Sequence, residues 1–123
     1  MQNEKEKFKE DFIRRLINFS IRILKFCEKM RQKRILWSII DQLIRSATSI
    51  GANVVEAKAS SSRKDYLRFF EIALKSANET KYWLILIKES MSEFKEEAEQ
   101  LLKEADEISK VIGASVITLK GKK

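Results

Sequence analysis

An all-α fold is predicted for this chain: an antiparallel up-down-up-down four-helix bundle forming one domain over residues 1–123. Three observations predict it. The 123 residues include three glycines and no proline, so the chain lacks the turn residues on which all-β folds depend. Hydrophobic residues make up 44% and charged residues 35%, two large fractions that coexist when they are sorted into stripes. Apolar residues recur every three or four positions through four stretches, with breaks near 31–34, 60–62 and 90–93. Helices joined by such short connections are antiparallel neighbours.

The first stretch runs from about Glu4 to Met30. On a wheel of about 100° per residue, Phe8, Phe12, Leu16, Phe19, Ile23, Phe26 and Met30 share one face. Ile13, Ile17, Ile21 and Leu24 widen that face beyond the ~100° arc of an ordinary surface helix. Lys7, Arg14, Arg15, Arg22, Lys25 and Lys29 fall in the remaining sector, beside Glu4 and Asn18.

The second stretch, from about Ile35 to Ala59, carries a heptad seam of Leu36, Ile40, Leu43, Ala47, Ile50, Val54 and Ala57. Trp37, Ile44, Gly51 and Val55 form a second apolar line. Gly51 in mid-helix costs up to ~1 kcal/mol relative to Ala, which suggests close approach of another backbone. A polar line of Arg45, Ser49, Asn53 and Glu56 runs along a different side. With Asp65 and Glu79 of the third stretch, it is read as a structural polar network that sets register between the two helices.

Ser60, Ser61 and Ser62 break the pattern, and Ser62 followed by Asp65 is a variant of the capping box. The third stretch, to about Glu89, places Tyr66, Phe69, Phe70, Ala73, Ala77, Leu84 and Ile87 at helical spacing. Tyr82 to Ile87 is apolar all round, so this part of the helix should touch protein on more than one face. The fourth stretch, from about Glu93 to Leu119, repeats the pattern through Phe94, Ala98, Leu101, Ala105, Ile108, Ile112, Ser115 and Leu119. Glutamates crowd its first turns, where the helix dipole favours them, and Lys120-Gly121 supplies a stop.

Several classes of chemistry are disfavoured. The chain has no histidine, which removes the commonest general base and metal ligand. Di-iron bundles pair Glu-x-x-His motifs, so Glu96, Glu97, Glu99, Glu104, Asp106 and Glu107 read as a solvated acidic face rather than a metal site. Cys27 is the sole cysteine and lies in the apolar arc, as buried filler in a reducing, cytoplasmic protein. No phosphate-binding glycine loop is present. The expectation is a non-enzymatic protein with no cofactor, no metal and no small-molecule substrate. MQNEKEKFKEDF lacks the apolar stretch of a signal peptide, and Tyr82 to Ile87 falls far short of the ~20 residues that span a bilayer, so no membrane role is expected.

The stretch Arg45 to Leu84, RSATSIGANVVEAKASSSRKDYLRFFEIALKSANETKYWL, resembles the bacterial four-helix-bundle family of 23S rRNA-intervening-sequence proteins. The matching residues are Ser49, Ile50, Asn53, Val54, Glu56, Asp65, Tyr66, Phe69, Ile72, Ala73, Ser76 and Glu79. Ala57 and Lys75 stand where the family carries glycine. The resemblance implies a ring-shaped homopentamer. It also implies kinship with the accessory proteins of diversity-generating retroelements, basic pentamers that bind a reverse transcriptase and nucleic acid.

The charge pattern points the same way. The net charge is +7, but residues 1–34 hold +6 and residues 93–119 hold −4. The helical cations of the first stretch, together with Arg31, Lys33 and Arg34 after it, form a candidate nucleic-acid surface. No aromatic residue interleaves with them, so binding to RNA or DNA should be backbone-driven and non-specific. Surplus apolar residues Trp37, Tyr82, Trp83, Ile85 and Leu86 are the expected oligomer interface. Two functional readings follow. One is an oligomeric adaptor for nucleic acid or a ribonucleoprotein partner, a retroelement reverse transcriptase among the candidates. The other is a structural, protein-interaction bundle with no nucleic-acid role.

Overall fold

A computed structural model describes residues 3–33 and 37–121. Its helices are α1 (Glu4–Arg31), α2 (Trp37–Ala59), α3 (Arg63–Ser90) and α4 (Lys95–Gly121), with a 3₁₀ turn over Ser92–Phe94 before α4. Asn3 caps α1 by accepting the Glu6 N–H at 2.8 Å. The hydroxyl of Ser62 caps α3 by accepting the Asp65 N–H at 3.1 Å, as the sequence predicts. Met91 leaves the helical conformation and ends α3. The chain then tightens into the 3₁₀ turn, so the fourth helix starts two residues later than its periodicity suggests. At the far end α4 continues through Gly121.

Each helix contacts its chain neighbour, α1 also meets α4, and one core runs between all four. Ala47 and Ala57 of α2, Ala73 and Ala77 of α3, and Ala98 and Ala105 of α4 are fully buried. Small side chains let these three helices approach closely. By contrast, α1 projects Phe12, Phe19 and Phe26 inward and stands off from α4. The Phe26 and Phe94 rings fill part of that space edge to face, 5.9 Å apart.

The wide apolar arc of α1 is only partly used. Phe8, placed with the core residues by its spacing, is 60% exposed. Ile17, Ile21 and Leu24 are 42%, 44% and 47% exposed, because α2 covers only one edge of the arc. Gly51 also departs from expectation. A Cβ there would lie 3.5 Å from the Leu16 Cβ, an ordinary contact with a side chain and not a close backbone crossing.

Candidate nucleic-acid interface

The basic sector of α1 divides in two, because closing the bundle sets α4 beside α1. Arg15 forms a fork with Glu104, its Nε 2.7 Å from Oε2 and its terminal nitrogen 2.8 Å from Oε1, and reaches Glu107 at 3.4 Å. Lys29 pairs with Glu97 at 3.1 Å and Lys33 with Glu93 at 3.4 Å. Arg31 pairs with Asp41 of α2 and lies 5.3 Å from the Trp37 ring centroid. The hydrogen bond from Arg15 holds the Glu104 carboxyl below its ordinary range, with further help from the charge of Arg22. The same bond raises the Arg15 pKa, so the guanidinium stays charged.

Four of the nine cations expected to face a nucleic acid therefore serve the fold. The acidic face of the fourth helix is likewise not simply solvated: Glu97, Glu104 and Glu107 answer α1. Arg34 lies outside the described residues. Lys7, Arg14, Arg22 and Lys25 are exposed and have no ion-pair partner within 4 Å among the described residues. Lys7, Arg14 and Lys25 run along the outer side of α1, next to the exposed stripe of Ile17, Ile21 and Leu24, whereas Arg22, two turns after Arg15, lies toward α4, where its charge reaches Glu104.

The polar network between α2 and α3 exists in altered form. Arg45 pairs with Glu79 at 2.6 Å, and the same carboxylate oxygen accepts the Trp83 indole N–H at 3.1 Å. Asn53 donates to the Ser49 carbonyl at 2.8 Å and to its hydroxyl at 3.0 Å, and the Ser76 hydroxyl bonds Ser49 Oγ at 2.9 Å. Glu56 faces solvent and makes no hydrogen bond or ion pair among the described residues, and Asp65 sits at the α3 cap, 3.9 Å from Arg68. Neither joins the network. The sequence reading missed the buried bond between Thr80 and Ser46, 3.0 Å long. Small hydroxyls at core spacing were the available signal for it.

The apolar residues expected at an interface occupy three faces. Exposed Trp37 stands near α1, under Arg31. Tyr82 packs edge-on against half-buried Trp83 at 5.1 Å on the α2–α3 side. Ile85 overlooks a shallow cleft shared with Leu102 of α4. Leu86 is half-buried. Within Tyr82 to Ile87, only Leu84 and Ile87 enter the core of this chain.

Cys27 is buried, and burial pushes its thiol up to about 12. It is therefore an unreactive packing residue. Among the described residues no three His, Cys, Asp or Glu side chains form a metal-holding group, and no helix is long and apolar enough to cross a membrane.

No curated protein matches the chain. A crystal structure from Bacteroides thetaiotaomicron, of a protein with unknown function from the S23 ribosomal protein family, superposes with a TM-score of 0.80. It is 32% identical, and the alignment covers 85% of this chain and 97% of that one. The model of the 23S rRNA-intervening sequence protein family matches residues 9–114, which span the first helix through most of the fourth. By that match, and by a solved relative of the same architecture, the chain belongs to the 23S rRNA-intervening sequence protein family.

Proposed function

We propose that this protein is a non-enzymatic cytoplasmic adaptor. In this reading it assembles as a ring-shaped homopentamer and binds RNA or DNA, or a ribonucleoprotein partner, through the outer cations of α1. The observation that carries the reading is the selective pairing along α1. Arg15, Lys29, Arg31 and Lys33 have acidic partners, whereas Lys7, Arg14, Arg22 and Lys25 are exposed with none within 4 Å among the described residues, and Lys7, Arg14 and Lys25 line one outer side. Exposed cations on a common side suit a phosphate backbone, and repetition around an oligomer multiplies weak contacts. A retroelement reverse transcriptase is the protein partner we propose.

Binding of single-stranded and duplex RNA and DNA, measured by fluorescence anisotropy, tests the proposal. Affinity is expected to fall about 100-fold between about 50 and 200 mM salt if four phosphates are engaged. Arg14→Glu, Arg22→Glu and Lys25→Glu combined should abolish binding while helicity and oligomer mass persist. Undiminished binding by that variant would leave the protein-interaction bundle as the better reading. The exposed stripe Ile17, Ile21 and Leu24 supports that alternative, since apolar side chains beside a basic line also suit a protein surface.

A further inference from the structure

The four helices do not close evenly. At the end where α1 and α3 begin and α2 and α4 finish, a cavity of about 780 Å³ opens between them. Small-molecule sites span roughly 300–1,000 Å³. The opening follows from how the local aromatic residues pack. Phe8 and Phe12 stack along α1 with centroids 6.5 Å apart, and Tyr66 and Phe70 stack along α3 at 4.9 Å. Each pair satisfies its rings within its own helix, and neither bridges to the other. The stand-off of α1 from α4 leaves the space between them. It also explains why Phe8 is exposed despite its place on the inward face.

The chemistry of the walls is divided. Phe12, Val54, Phe70, Val111 and Leu119 make the interior apolar, while Lys5, Lys9, Lys58 and Arg63 supply four cations. No carboxylate of the described residues lines the cavity. The cations are anchored around it. Lys9 lies 5.1 Å from the Tyr66 ring centroid, and Arg63 donates to the Leu119 carbonyl at 3.0 Å. Lys58 approaches Glu10 at 3.9 Å. Burial raises the Tyr66 pKa above its ordinary value of 10.0, against the opposing charge of Lys5, so the phenol adds no negative charge.

We propose that this cavity binds a single-chain amphiphilic anion of the fatty carboxylate class, with its hydrocarbon between Phe12, Phe70 and Val111 and its head group among Lys5, Lys9, Lys58 and Arg63. An apolar lining of this volume favours a hydrocarbon chain, since water gains few partners against it. Four cations without a lining carboxylate select an anionic head. A neutral lipid leaves the charges of Lys5, Lys9 and Arg63 without a carboxylate partner, Lys58 alone having Glu10 within 4 Å, and a short anion leaves the interior unfilled.

Calorimetric titration of the full chain with dodecanoate, kept below its micelle concentration, tests the assignment against dodecanol and dodecyltrimethylammonium. Dodecanoate should bind one per chain and at least about tenfold more tightly than either analogue, the worth of one charge-assisted hydrogen bond. Each methylene removed from the chain should weaken binding about fourfold. Ala114→Trp, which fills the cavity from α4, should abolish binding, and Lys9→Glu with Arg63→Glu should weaken it at least about tenfold. Arg14→Glu with Arg22→Glu, two α1 cations that do not line the cavity, should leave it unchanged. Equal binding of the cationic analogue, full binding by the Ala114→Trp variant, or loss of binding in the Arg14/Arg22 variant would each overturn the proposal. The head-group comparison on the native chain decides it even if a cavity variant fails to fold.

Discussion

Gly51 shows how a single residue can be misread without its surroundings. A glycine in mid-helix suggests a backbone crossing, yet the neighbour is the Leu16 Cβ at a distance that a methyl group tolerates. Gly51→Ala should therefore raise the unfolding free energy by ~0.5–1 kcal/mol, because alanine restricts the unfolded chain and favours helix. Urea unfolding of both proteins checks this, with the midpoint rising at constant slope. A drop in stability or oligomer mass instead would show that a second copy approaches closely at this point. Cys27 followed its sequence reading more simply. It lies on the inward face of α1, is buried, and is held as a thiol.

At the scale of helices, the seam between α1 and α4 is sensitive to acid. The Arg15–Glu104 fork keeps the Glu104 carboxyl below its ordinary value of 4.5. A carboxyl depressed in the folded state adds stability that is fully present above the unfolded pKa and is lost as pH falls through the folded one. The contribution is thus complete at neutral pH and declines below pH 4.5. Asp106 is shifted the same way by Lys110 and then Lys81, on the α3–α4 side. Glu104→Gln should cost ~1 kcal/mol at pH 7, a modest figure because water still reaches the pair. Its stability should also vary less than that of the native protein between pH 5 and pH 3, as denaturant midpoints across that range of about two units would register.

For the whole molecule, the unresolved balance is between apolar surface and core. A bundle of this size needs one inward stripe per helix, yet Ile17, Ile21, Leu24, Trp37, Tyr82 and Ile85 remain on the outside. Apolar surface of that extent on three sides suits a chain that contacts copies of itself on more than one flank, as subunits of a ring do. Light scattering should give a mass five times the 14.4 kDa of one chain. Ile17→Ser, Ile21→Ser and Leu24→Ser together should lower that mass while preserving helicity, since none of the three belongs to the core. A monomer mass for the native chain would remove the ring from the proposal.

The four helices, their breaks and most of the core were legible in the amino-acid sequence because helical periodicity is local. Phe12, Leu16, Phe19 and Ile23 declare one face of α1 whatever lies opposite, and Ser62 announces a cap within three residues. The candidate site was only half legible. That Lys7, Arg14, Arg15 and Lys29 share one sector follows from spacing, but which of them remain without partners does not. Arg15 meets Glu104 across 89 positions of chain, and only bundle closure brings that carboxylate within reach. The same holds for Trp37, Tyr82 and Ile85, which the sequence groups by hydrophobicity and the bundle distributes over three faces. The cavity among Phe12, Phe70 and Val111 was invisible altogether. It arises from the distance between helices, which depends on how large phenylalanines of one helix fit against small alanines of the others.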